Sequence, residues 1–266
     1  MKAKSKSKSE SHAAETARSA GDAAIIRKQI FVILSILAVA GAGYGVWFWG
    51  ENNGWGNPER AVKIKMDRAN QAFIDRDLDG AVKLYEAVID RYPENAQKSQ
   101  AMTQLGTAYE EKGELAKAVA TYQRLLKELE GQPKKDLRAY TLLQVAKLTG
   151  QQGDFKTALS LFEQVRKDHP GTDWAGEALS EIGKDWQEQH DYPKAIATYN
   201  ALIKEMPAGF LAAEAQASIG ACLEAEGKDH EAIRAYQVVL DKYPSAVWDQ
   251  AKSRIDVLKK RLEKNG

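Results

Sequence analysis

The sequence predicts an all-α protein: a solenoid of about five helical hairpins, closed by a C-terminal capping helix and carried behind one N-terminal transmembrane helix. Three observations predict it. Ala81, Ala118, Ala158, Ala195 and Ala232 stand 37, 40, 37 and 37 residues apart, and a fixed period of this size marks stacked structural units. Long-chain helix formers dominate, only 7 of 266 residues are proline, and no run alternates β-branched residues, which together favour helix over sheet. Ile30 to Trp49 carries no charged residue over twenty positions, the length of helix that crosses a hydrocarbon core of roughly 30 Å.

The first segment, residues 1–29, is rich in Lys, Ser and Ala and lacks aromatics. It cannot bury enough apolar surface to order itself. The span follows at residues 30–49, with Tyr44, Trp47 and Trp49 gathered where an aromatic belt sits. A cleavable signal with Ala38-Val39-Ala40 as its small-residue site is the rival reading. The apolar stretch running on to Trp49 favours an anchor. Lys2, Lys4, Lys6, Lys8, Arg18, Arg27 and Lys28 precede the span, and the ten residues after it hold no Lys or Arg. The positive-inside rule therefore expects a cytoplasmic N-terminus and repeats on the far side of an inner membrane, in a periplasm or its equivalent. Gly41 and Gly45 form a small-xxx-small pair that could pair two such helices into a homo-oligomer.

A short polar linker, residues 50–58, leads to Asn57-Pro58-Glu59, which reads as an N-cap, a proline in the first turn and an acid beside it. Repeats then occupy residues 59–246. In each, an aromatic follows the alanine by four positions: Tyr85, Tyr122, Phe162, Tyr199 and Tyr236. That spacing puts both on one helix face. A small residue precedes each alanine by twelve positions (Ala69, Gly106, Ala146, Gly183 and Gly220) and is expected to let the partner backbone approach. Pro93, Pro170, Pro207 and Pro244 end four second helices. Turns are expected at Gly113-Glu114, Gly153-Asp154, His190-Asp191 and Gly227-Lys228. The 40-residue step places an insertion at Glu128 to Asp136, a candidate bend or special loop. Residues 247–266 make the cap, with Ala251, Ile255, Leu258 and Leu262 on one face.

Charges nearly cancel, 38 basic against 37 acidic, so no pull toward nucleic acid is expected. Adjacent Asp and His recur as Asp168-His169, His190-Asp191 and Asp229-His230, but they fall on successive turns and do not form a catalytic or metal set. No phosphate loop, HExxH or G-x-S-x-G motif is present. The chain is expected not to be an enzyme and to need no cofactor. Cys222, the single cysteine, is expected to be a small buried side chain, and Trp174, Trp186 and Trp248 to pack in or between repeats.

At these residues the chain resembles the tetratricopeptide repeat family, whose signature sets a small residue, Ala and Pro at twelve-residue steps; Leu105 to Leu126 carries it best. The layout of anchor and repeats is similar to bacterial envelope members of that family, among them TolA-binding and outer-membrane-assembly proteins and the ancillary subunit of the Sec translocon. The resemblance implies a protein-interaction scaffold that binds a partner polypeptide in a groove lined by first helices. Holdase-type assistance to newly translocated chains and an import receptor of opposite topology remain open beside it. By position relative to the small residue, the resemblance points to Met66, Asn70, Thr103, Thr107, Leu143, Lys147, Ser180 and Lys184, with Ala217 and Ala221 in the last repeat.

Overall fold

The structure, a computed structural model, describes residues 57–94, 96–243 and 248–265. The expected tail, the span Ile30–Trp49, the Gly41/Gly45 pair and Pro244 lie outside the described residues. Among the described residues there are eleven α-helices and no strand, and no helix is long and apolar enough to cross a membrane.

The chain divides into two compact units at Lys65–Met66. In the first, the described residues are 57–65, the opening of helix α1 (Pro58–Ile74). Asn57 caps it, accepting the Arg60 N–H at 2.9 Å, and Pro58 takes the first helical position. The sequence expectation holds here because proline sits where no N–H is needed.

The second unit continues α1 and adds α2 (Leu78–Arg91), α3 (Lys98–Glu111), α4 (Leu115–Glu128), α5 (Lys135–Gln151) and α6 (Phe155–Asp168). It ends with α7 (Asp173–Glu188), α8 (Tyr192–Glu205), α9 (Phe210–Ala225), α10 (Asp229–Lys242) and α11 (Trp248–Asn265). Each helix from α2 to α11 packs on its neighbours in sequence, and α7 also touches α5 and α9. First helices α5, α7 and α9 therefore line up side by side, as a solenoid requires.

Every second helix buries the same stripe at i, i+4 and i+7: Ala81/Tyr85/Val88, Ala118/Tyr122/Leu125, Ala158/Phe162/Val165, Ala195/Tyr199/Leu202 and Ala232/Tyr236/Val239. This is the face a 3.6-residue period presents to a core. Each ring removes roughly 150–250 Å² from water, the largest single contribution its hairpin has. The small residues act differently from the expectation. A Cβ on Gly106 or Gly183 would fall inside the ring of Tyr122 or Tyr199, and one on Gly220 would sit 2.8 Å from Tyr236. The glycine makes room for the aromatic sixteen residues on, rather than for backbone.

The turns obey one rule. The second residue after each first helix is left-handed: Arg76, Gly113, Gly153, His190 and Gly227 have φ between 60° and 88°. The Arg76-Asp77 turn of the first hairpin has no glycine to announce it. Asp77, Asp154 and Asp191 then cap the second helices, accepting the N–H three residues on at 3.0, 3.1 and 3.2 Å. The 40-residue step does not form a large loop. Its connector matches that of the α2–α3 junction in length, and the extra residues lengthen α5 to 17 against 14 for α3.

Helix α11 buries Ala251, Ile255 and Leu258 against α10 and leaves a charged outer face. Leu262, expected on the same stripe, is only half-buried. Glu224 of α9 holds α11 in place: it accepts from Arg254 and, at 3.2 Å, from Arg261, which also pairs with Asp229 at 2.9 Å.

Candidate functional site

The first helices carry the candidate residues, and their exposures divide the set. Met66 is 2% exposed, Leu143 0% and Ser180 5%. Three positions before the small residue, Met66 and Leu143 thus turn into the core, which corrects the expectation for these two, while Thr103 and Ala217 at the same position are half-buried. An apolar side chain there gains more from the neighbouring hairpin than from a ligand.

Two candidates one position after the small residue have internal partners. Asn70 accepts the Tyr85 hydroxyl at 2.7 Å, and Thr107 lies 3.2 Å from the Tyr122 hydroxyl. The ring that fills the glycine slot ends in an O–H, and a buried O–H requires a partner. Phe162 has no hydroxyl, so Lys147 at the matching position owes it nothing. Burial pushes the Tyr85, Tyr122, Tyr199 and Tyr236 hydroxyls above their ordinary range. They stay neutral donors at any physiological pH. Thr103 is half-buried and returns its hydroxyl to the Ser99 carbonyl at 2.9 Å.

Three first helices meet at a groove of about 260 Å³. Its floor is the small-residue side of α9: Ala217, Ser218 and Ala221. One wall is α7, with Ser180, Lys184 and Gln187; the other is α11, with Gln250. Glu214 and Tyr236 complete it, and a contiguous hollow continues along Ala221, Ala225, Glu224, Arg254 and Arg261. Lys184 is tied to Glu181 at 2.9 Å in the manner of i,i+3 helix pairs. Of the predicted residues, the structure brings together Ser180, Lys184, Ala217 and Ala221. Gln187, Gln250, Arg254 and Arg261 were not anticipated. A signal existed: stepping 37 residues from Ala217 reaches Arg254, so α11 continues the register of the first helices.

Chemically the groove offers amide and hydroxyl groups over an alanine floor, between charged flanks. That suits the backbone of a polypeptide and its small side chains. Among the described residues, no group of three or more His, Cys, Asp or Glu is placed to hold a metal ion. The His190-Asp191 turn pair is put to structural use: Asp191 caps α8 and bonds Lys194 at 2.6 Å, and His190 Nδ1 lies 2.9 Å from the Tyr192 hydroxyl. Cys222 is fully buried, and burial raises its thiol to about 11, leaving it protonated. Trp174 Nε1 donates to Asp136 at 3.2 Å across α7 and α5, and Lys194 caps the Trp186 ring at 4.2 Å. Both rings pack on the central core as expected.

The sequence model of the soluble NSF attachment protein family matches residues 55–173, and that of the tetratricopeptide repeat matches residues 181–247. No curated protein matches this chain in sequence. Among solved structures, the fold is similar to a tetratricopeptide repeat protein from Parabacteroides merdae at 19% identity and TM-score 0.56, covering 77% of this chain and 74% of that one. It is similar to the MamA protein at 21% identity and TM-score 0.51, covering 70% of this chain and 96% of that one. Residues 181–247 thus match the tetratricopeptide repeat in sequence, and the helical-hairpin fold is similar to that of these solved structures.

Proposed function

We propose that this chain is a membrane-anchored scaffold that holds a partner polypeptide against its first helices and performs no chemistry on it. The charge-free stretch Ile30–Trp49 anchors it in the inner membrane with the basic tail in the cytoplasm, and the repeats face the envelope side. The observation that carries the binding role is the groove over α9, where three first helices line a hollow of about 260 Å³ with an alanine floor. Stacked repeats use such surfaces to grip other chains. Ala221→Trp fills the hollow from its floor, on the solvent side of the Tyr236 ring. Affinity purification from native membranes should then lose the partner while the thermal transition stays put. Retention of the partner would rule the groove out. Protease added to cells with opened outer layers should digest the repeats and spare residues 1–29; the opposite pattern would reverse the topology.

A further inference from the structure

Asp185 stands where three other repeats place core. Two residues past the small position, α3 has Ala108, α5 has Leu148 and α9 has Cys222, all at most 2% exposed. In α7 the same position is an aspartate. It faces a cleft of about 240 Å³ between α6 and α7, walled by Phe155, Leu159, Ile182 and Trp186 and lined also by Lys156 and Gln189. Gly150 at the end of α5 leaves room beside it: a Cβ there would meet the Asp185 carboxylate only at 3.6 Å.

Among the described residues this carboxylate makes no side-chain hydrogen bond and no ion pair. Neighbouring cations are engaged elsewhere, Lys194 with Asp191 at 2.6 Å and Lys184 with Glu181 at 2.9 Å. Lys156 shares the cleft but is not within ion-pair distance. Burial, and then the negative charge of Glu188 and Glu181 on the same helix, raises the Asp185 carboxyl to about 6. An acid in an apolar slot without a counter-charge costs stability. Three other repeats fill the position with Ala, Leu or Cys, and the first has an exposed Gln71, so packing does not require an acid there. Sites that break their own local rule are candidates for binding.

We propose that this cleft receives a basic side chain from the partner polypeptide, its stem against Phe155, Leu159 and Trp186 and its cationic head on Asp185. The volume is below the roughly 300–1,000 Å³ of small-molecule sites and suits one long side chain. One carboxylate among apolar walls cannot supply the several oxygens a hard metal ion requires. The inference rests on the scaffold reading and adds a contact on α6 and α7, apart from the groove over α9. The chain's own Lys-rich tail is excluded as occupant by the proposed topology, which puts it across the membrane.

The test uses the full chain in detergent and two probes, acetyl-Ala-Ala-Arg-Ala-Ala-amide and the same peptide with citrulline, which keeps the shape and loses the charge. Calorimetric titration should show the arginine peptide binding at least about tenfold more tightly. Asp185→Asn should erase that preference. Asp185→Leu, which restores what Leu148 provides in α5, should erase it while holding or raising Tm, so a folding defect cannot mimic the loss. Equal binding of both peptides, or an unchanged preference in Asp185→Asn, would overturn the proposal. So would tighter binding after Lys2, Lys4, Lys6 and Lys8 are all changed to Ser, since the tail would then be the occupant. Loss of the partner in Ala221→Trp is independent of these results, so the two readings fail separately.

Discussion

Gly106 and Gly150 are both helical glycines, and only one of them is required. The Cβ of Gly106→Ala would enter the Tyr122 ring, whereas that of Gly150→Ala meets Ala158 at an ordinary 3.5 Å. Alanine is intrinsically better in helices by about 1 kcal/mol. Against that, forcing a methyl into a filled site costs about 1–3 kcal/mol. Denaturant unfolding should show Gly106→Ala destabilised and Gly150→Ala neutral or stabilised. A second residue-scale expectation concerns pH. Asp185 is raised to about 6 by burial, then by Glu188 and Glu181, so the folded state binds its proton more tightly than the unfolded one. Its contribution is most favourable below about pH 4 and is lost as pH rises through about 6. Lys156 is the facing cation and Glu181 and Glu188 the facing acids. Thermal melts of the wild type relative to Asp185→Asn should fall over that window; a flat difference would contradict it. Asp79, Glu114, Asp154 and Asp191 are lowered by their partners and act with the opposite sign in both proteins.

At the scale of elements, the period made the helix pairs legible and the turn rule half-legible. Glycine announced three of the five left-handed turns, but Arg76 and His190 adopt φ of 64° and 60° with a side chain attached. Spacing marked the His190 turn; at Arg76 the following Asp77 cap was the only sign. The insertion was located correctly and its form was not, because three added residues can extend a helix by nearly one turn or lengthen a loop. The groove residues were the least legible. Position in a repeat says which way a side chain points, but whether it reaches solvent depends on the next hairpin, as Met66 and Leu143 show. Beside its apolar contacts and the Arg261–Asp229 pair, α11 is tied to α9 by one acid: Glu224, 12% exposed, takes Arg254 and Arg261 together. Glu224→Ala should cost α11 roughly 1.5–3 kcal/mol of local stability, the worth of hydrogen bonds to charged groups. Amide hydrogen exchange should speed up in α11 while α3 to α6 are unaffected, since each hairpin leans only on its neighbours.

At the scale of the molecule, the account comes down to first helices that share one register and leave a lined hollow where three of them meet. In the proposed reading the alanines of α9 leave the hollow open to a partner, whereas Ala81, Ala118, Ala158, Ala195 and Ala232 are fully buried against neighbouring helices. The direct measurement is site-specific photo-crosslinking in native cells, with a photoreactive residue at Lys184 or Ala217 in the groove and at Gln237, exposed on second helix α10. The account predicts a discrete polypeptide adduct from Lys184 and Ala217 and none from Gln237. Adducts from Gln237 with silence at both groove positions would contradict it.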